Sequence, residues 1–156
     1  MAIAVTLKSF LDRQGVQYEV VVHRPTPSAS HSAEAAHVPG DRLAKAVLLE
    51  NEGRHMLAAL PATHRLQLGR LHHELGEHVG LATEDELSGV FPDCERGAVP
   101  ALGAAYGIET LLDDSLANQD DIFIEGGDHV SLVHLSGAAF RSLLGDVRHG
   151  DYSTHV

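Results

Sequence analysis

Hydrophobic and polar positions alternate along this chain in two periods. In TLKSFLDRQG (6–15), Leu7, Phe10 and Leu11 recur at helical spacing, which predicts a first helix with Thr6 as its cap and Gly15 as its left-handed stop. VQYEVVVH (16–23) is rich in β-branched residues and predicts a strand, while RPTPSASHS (24–32) carries too much Pro and Ser for either element and predicts a loop. AEAAHV suits a short helix closed by Pro39-Gly40.

Two apolar runs follow, LAKAVLLE and HMLAALP, separated by NEGR, which predicts a hairpin of central strands turning near Asn51 to Gly53. Leu66, Leu68, Leu71 and Leu75 mark an amphipathic helix ending at Gly76, and TEDE (83–86) is a capping box that opens another. From Phe91 to Gly107 no period holds, so a long irregular segment is expected inside a compact domain. DIFIEGG and HVSLVHL predict a second hairpin through Gly126 and Gly127, and SGAAFRSLLG a final helix. Together these elements imply a mixed α/β (α+β) single domain, with one bent, mostly antiparallel sheet and helices outside. Residues 1–145 form that domain, and 146–156 are expected to be a loose polar tail.

Composition narrows the function. The 156 residues fit one ordinary core, and with aromatics at 4% and no Trp that core is aliphatic. A net charge of −11, from 22 acidic against 11 basic residues, repels polyanions at long range and argues against broad duplex binding. A small local basic patch is compatible with it, and Arg24, Arg42, Lys45 and Arg70 are the candidates. The lone Cys94 excludes an intrachain disulfide framework, no apolar stretch is long enough to span a bilayer, and MAIAVTLKSF reads as a mature N-terminus. A cytoplasmic protein is expected.

Few residues suggest chemistry. Lys45 is one of only two lysines and sits at the mouth of an apolar run, where an amine can be desolvated or aimed at a phosphate; a strand-end residue whose stem covers apolar surface is the plain alternative. Gly97, Pro100 and Gly103 in RGAVPALG can turn successive backbone N–H groups toward one point, as an anion or oxyanion site requires, although a connecting loop has the same glycine spacing. Cys94 is a possible nucleophile or a small buried apolar residue. Among twelve histidines, His72, His73 and His78 match no zinc pattern, and His129 and His134, five apart in an expected strand, fall on opposite faces. No metal site and no cofactor are expected.

Taken together, FLDRQGVQYEVVVHRPTPSASHSAEAAHVPGDRLAKAVLLENEG, MLAALPATHRLQL, LATEDELSGVFPDCERGAVPALG and FIEGGDHVSLVHLSGAAFRSLL resemble, in order, the YbaK/prolyl-tRNA-synthetase-associated family of aminoacyl-tRNA deacylases over residues 5–145. The resemblance implies a curved, mostly antiparallel sheet and a free-standing trans-editing activity that hydrolyses the ester of a tRNA mischarged with a small amino acid such as Ala, Ser or Cys. It implies that Lys45 holds the terminal nucleotide or its phosphate. It further implies that the loop of Gly97, Ala98, Val99, Pro100 and Ala101 positions the scissile carbonyl and its attacking water or ribose hydroxyl. Many members carry Gly-x-x-x-Pro there, whereas this chain has Ala101 four after Gly97 and proline at 100. His31, Ala46, Arg42 and His129 are the candidate substrate-binding residues. The implied partner is the 3′ acceptor end of tRNA, delivered by a synthetase or elongation factor. A non-catalytic binding module of the same fold, recognising a nucleotide, an amino acid or a protein, is the alternative, with histidine-based metal buffering a third.

Overall fold

The computed structural model describes residues 2–156. Among them, five α-helices and ten strands follow the chain. Helix α1 (Val5–Gln14) leads to β1 (Glu19–Val22), α2 (Ala29–Ala36), then β2 (Leu43–Asn51), β3 (Arg54–Pro61) and β4 (His64–Leu66). After them come α3 (Leu68–Leu75), β5 (Gly80–Leu81), α4 (Glu84–Val90), β6 (Glu109–Asp113), β7 (Asp121–Glu125), β8 (Ser131–Ser136), α5 (Gly137–Leu144), β9 (Arg148–Gly150) and β10 (Ser153–His155).

The main sheet runs β1-β8-β7-β2-β3-β6-β9, with β5 added to β2, and β4 pairs with β10 in a second ladder. β1–β8, β7–β8, β2–β3 and β2–β5 are antiparallel, while β2–β7, β3–β6 and β6–β9 are parallel, so the sheet is mixed and mostly antiparallel as expected. The β2–β3 hairpin turns through Glu52 and Gly53 at φ 52° and 81°, the positive pair that a two-residue turn needs to match strand twist. Because side chains alternate across the sheet, β2 sends Ala44 to one face and Leu43 to the other. The first face carries α1 and α5, with Leu7, Phe10, Leu11, Phe140 and Leu143 against Ala59, Ile122 and Ile124. The second carries α2 through Ala29 and Ala33 against Leu43 and Leu132, and α3 through Leu71 against Leu49, Met56 and Leu60. Each fully buried Leu or Phe contributes roughly 1.5–3 kcal/mol, so both layers are needed.

Four local expectations are corrected. Thr6 does not cap α1: the N-cap is Ala4, and the Thr6 N–H instead donates to Asp93 Oδ2 at 2.9 Å, a carboxylate supplied by the distant irregular segment. The stretch 24–32 is not all loop, since Ser28 caps α2 by accepting from the His31 N–H, so the helix starts at Ala29 and ends with His37 in the left-handed region. His129 lies in the turn between β7 and β8 at φ 63°, held there as the Asp128 carboxylate accepts from Val130 and Ser131 N–H groups, so a strand-face argument does not apply to it. The polar C-terminal segment is not loose. Tyr152 is 3% exposed, its N–H donates to Asp113, and β9 and β10 flank it.

The capping box is formed as its spacing predicts, with Thr83 and Glu86 each accepting from the other's backbone N–H at 3.1 Å. No helix among the described residues is long and apolar enough to cross a membrane.

Candidate active site

The sheet itself opens a cavity. β2 pairs with β7 only at Leu43 and Ala44 and with β5 only at Leu49 and Glu50, so no strand covers that side of β2 between Ala44 and Leu49. Residues 45–48 therefore border a hollow of about 370 Å³, whose other walls are Pro27 to Ala29, Leu81 to Glu84, Leu87, Gly97, Val99 and Glu125. This is the small end of the range for ligand sites. The walls are mostly apolar and short, among them Ala29, Ala46 and Ala82.

Lys45 brings the one basic side chain of that lining. Its stem is half-buried against β3, opposite Leu60, and its Nζ donates to the His64 carbonyl at 2.5 Å. Burial and then the nearby Arg65 charge push its pKa below the ordinary lysine value. Arg65 also borders, with Lys45 and His64, the shallower depression next door. Arg65 is thus a cationic neighbour of Lys45 that lies outside the cavity lining, and it gave no signal in the sequence because a charged residue in a three-residue strand is unremarkable. The expected wider patch does not assemble around them. Arg42 turns to Asp121 at 3.7 Å, and Arg70 donates to Asp151 and to the Ser153 carbonyl, both at 3.0 Å.

The predicted loop is brought to Lys45 only in part. Gly97 and Val99 border the cavity, whereas Ala98 and Ala101 are fully buried behind it, with Pro100 buried between them. Gly97 has φ 79°, and a Cβ on it would lie 3.1 Å from the His129 ring and 3.2 Å from the Pro27 carbonyl oxygen, so this position suits glycine on two counts. The Ala98 N–H is committed to the Glu95 carbonyl at 3.1 Å, while the Gly97 and Val99 N–H groups find no protein acceptor among the described residues. Ala101 packs in the α1 layer with Leu102 and Ile124, so the departure from proline there changes the packing behind the loop rather than the cavity wall.

Ala46 borders the cavity directly. His129 does not, but backs Gly97 with its ring, and its Nδ1 is buried without a partner. His31 points away, its Nδ1 lying 2.6 Å from the Ser28 hydroxyl at the exposed start of α2. Arg42 is likewise remote from the lining. Cys94 is a poor nucleophile: burial, followed by the Asp93 charge, outweighs its contact with the Tyr106 hydroxyl and pushes the thiol up to about 12. Histidine rings meet only in pairs, His72 with His78 and His64 with His155, and no group of three metal-ligating side chains exists among the described residues.

One residue was missed altogether. Continuing the β2–β7 register by one position places Glu125 beside Lys45 on the α2 face of the sheet, under Ala29 and Ser32. It is 1% exposed and neither carboxyl oxygen has a hydrogen-bond partner. Burial pushes its pKa up to about 7; Ser32 opposes this and Asp128 adds to it. The Ser32 hydroxyl lies 2.6 Å from that of Thr26, either of which can donate, and neither carboxyl oxygen of Glu125 accepts a hydrogen bond. No ion pair with Lys45 forms, because that amine is turned to His64.

Residues 23–143 match the profile of the aminoacyl-tRNA editing domain. The chain belongs to that family. Among solved structures, this editing domain is similar in fold to one provisionally described as a trans-editing enzyme for prolyl-tRNA synthetase, at 21% identity and TM-score 0.83 over 96% of this chain and 95% of that one. It is equally similar to a hypothetical protein, APE2540, at 20% identity and TM-score 0.83 over 96% and 99% of the two chains. It also matches 30% of a longer chain, provisionally described as a signal transduction protein from Marinobacter aquaeolei VT8, at 18% identity and TM-score 0.76 over 96% of its own length. No curated protein matches significantly.

Proposed function

We propose that this editing domain is a trans-editing hydrolase that cleaves the ester between a small amino acid, such as Ala, Ser or Cys, and the 3′ end of a mischarged tRNA. The observation that carries the reading is the half-buried Lys45 on the same small, apolar cavity as Gly97 and Val99, in a chain of the editing family. The terminal adenosine or its phosphate meets Lys45 and Arg65, and the aminoacyl group enters between Ala29, Ala46, Ala82 and Val99. Water, positioned by the loop and the neighbouring ribose hydroxyl, attacks the carbonyl carbon, and the bond to the ester's ribose oxygen breaks. The proton lost by the nucleophile ends on that oxygen. The free N–H groups of Gly97 and Val99 are the candidate donors to the developing oxyanion, a contribution that can be worth 10²–10³ in rate per donor. An activated side-chain nucleophile is unnecessary for so labile an ester, which fits the inert thiol.

Walls built of alanine and valine support selection by size, the second sieve that initial recognition of a small side chain cannot supply. Delivery by a synthetase or elongation factor fits an acidic surface that touches only the acceptor end.

A panel of mischarged tRNAs assayed for release of the amino acid tests the reading, with Lys45→Ala expected to lower turnover at least a hundredfold. The Ala98 N–H, spent on Glu95, favours one rival: a module that binds the acceptor end without hydrolysing it. Binding of the tRNA end with no turnover on any ester in the panel would establish that rival.

A further inference from the structure

Resting on that reading of the cavity, we propose that Glu125 is the specificity residue that receives the substrate's α-ammonium, so that the site takes esters of amino acids with a free amine and discriminates against N-blocked ones. An aminoacyl ester differs from other acyl esters in carrying a cationic, three-donor nitrogen one carbon from the scissile carbonyl. The cavity wall offers that nitrogen little else. The lining is apolar apart from Ser28, Lys45, Thr83, Glu84 and Glu125, and of the two acids Glu84 is an exposed residue paired with Arg96 at 2.7 Å. Glu125 lies on the inner wall with both oxygens unsatisfied, and burying a carboxyl without donors is costly unless a ligand supplies them.

Its surroundings fit that role better than a structural one. A buried acid that stabilises a fold is normally held by arginine, lysine or backbone donors. Here the neighbouring Lys45 is diverted to the His64 carbonyl, Ser32 is engaged with Thr26, and the nearby Asp128 spends its carboxylate on Val130 and Ser131. Lys45 and Glu125, adjacent on one sheet face, then divide the ligand. The amine of Lys45 takes the nucleotide side, and the carboxyl takes the amino-acid side. The buried acid is shut off from water, which the neutral form tolerates, and an entering ammonium favours the ionised form by pairing with it.

The test uses a non-hydrolysable amide, 3′-(alanylamino)-3′-deoxyadenosine, and its N-acetyl counterpart, titrated calorimetrically into the wild-type protein and Glu125→Gln. Wild type is expected to bind the free amine ten- to a hundredfold more tightly than the acetylated analogue, and Glu125→Gln to lose most of that preference while binding the acetylated compound as before. On mischarged tRNA the same variant should raise KM with little change in kcat. Equal wild-type affinity for the two analogues would overturn the proposal without any variant. So would a kcat loss of the same size on free and acetylated esters, which would make Glu125 a proton-transfer group. A preference for the free amine in a protein that hydrolyses no ester would sink the hydrolase reading and leave this one standing.

Discussion

Glu125→Gln should make the stability of this protein rise relative to wild type as pH increases. The carboxyl is 1% exposed and its folded pKa is pushed by burial to about 7 from an ordinary 4.5. Below pH 4.5 both folded and unfolded states carry the proton, so the residue costs nothing through ionisation. Between 4.5 and 7 the unfolded chain gives up its proton first, and stability falls as pH rises. Above 7 the penalty is complete, and a difference of 2.5 at 1.36 kcal/mol each amounts to about 3 kcal/mol. Glutamine has no such titration. Urea unfolding of both proteins from about pH 5 to pH 8.5 isolates the effect, because every other titrating group cancels in the difference and any packing change from the amide is a constant offset. The gap between variant and wild type should grow by about 2–3 kcal/mol across that range. A gap constant to within about 0.5 kcal/mol would show that the carboxyl is hydrated or paired in solution, and the account of an unpaired acid would fail.

Deacylation that depends on charged Lys45 should decline at a lower pH than free lysine would dictate, since burial and Arg65 both favour its neutral form; a pH–rate profile reads this directly. Gly97→Ala should cost about 1–2 kcal/mol in chemical denaturation from its positive φ, with a larger loss of activity as the loop shifts off His129 and Pro27. Cys94 should react with iodoacetamide at pH 8 far more slowly than a free thiol, and rapid labelling of the native protein would contradict its burial. Tyr152→Ala should destabilise the protein by about 3 kcal/mol and expose β10 to proteolysis, whereas a loose C-terminal segment would tolerate the change.

What the sequence disclosed follows from which signals are local. The β2–β3 hairpin, the Thr83–Glu86 capping box and the Gly76 stop of α3 were legible because each is set by residues within a few positions of one another. The cap of α1 was not, because its acceptor, Asp93, lies 87 residues away. The β4–β10 ladder joins a three-residue strand from the middle of the chain to another at its C-terminal end, and neither is long enough to show alternation. His129 was misplaced for a related reason: HVSLVHL alternates like a strand, but the Asp128 carboxylate captures two backbone donors and delays β8 to Ser131.

Within the cavity, Lys45 was conspicuous as a rare lysine in an apolar run, yet Glu125 gave no comparable signal. An acid at the end of DIFIE normally marks the return of a strand to solvent, and β7 would do so if its outer face were bare. It is not bare, because α2 closes over that face through Ala29 and Ala33. The same topology explains why a cavity exists at all. A parallel partner held for two residues cannot follow β2 further, since β7 must turn at Gly126 to pair antiparallel with β8, while β5 joins β2 only at Leu49. The uncovered interval between them is four residues long, begins at Lys45 and faces the end of β7. A cation on one strand and an unpaired buried acid on the other therefore border the same gap, a juxtaposition that arises from sheet order and that no single stretch of the chain encodes.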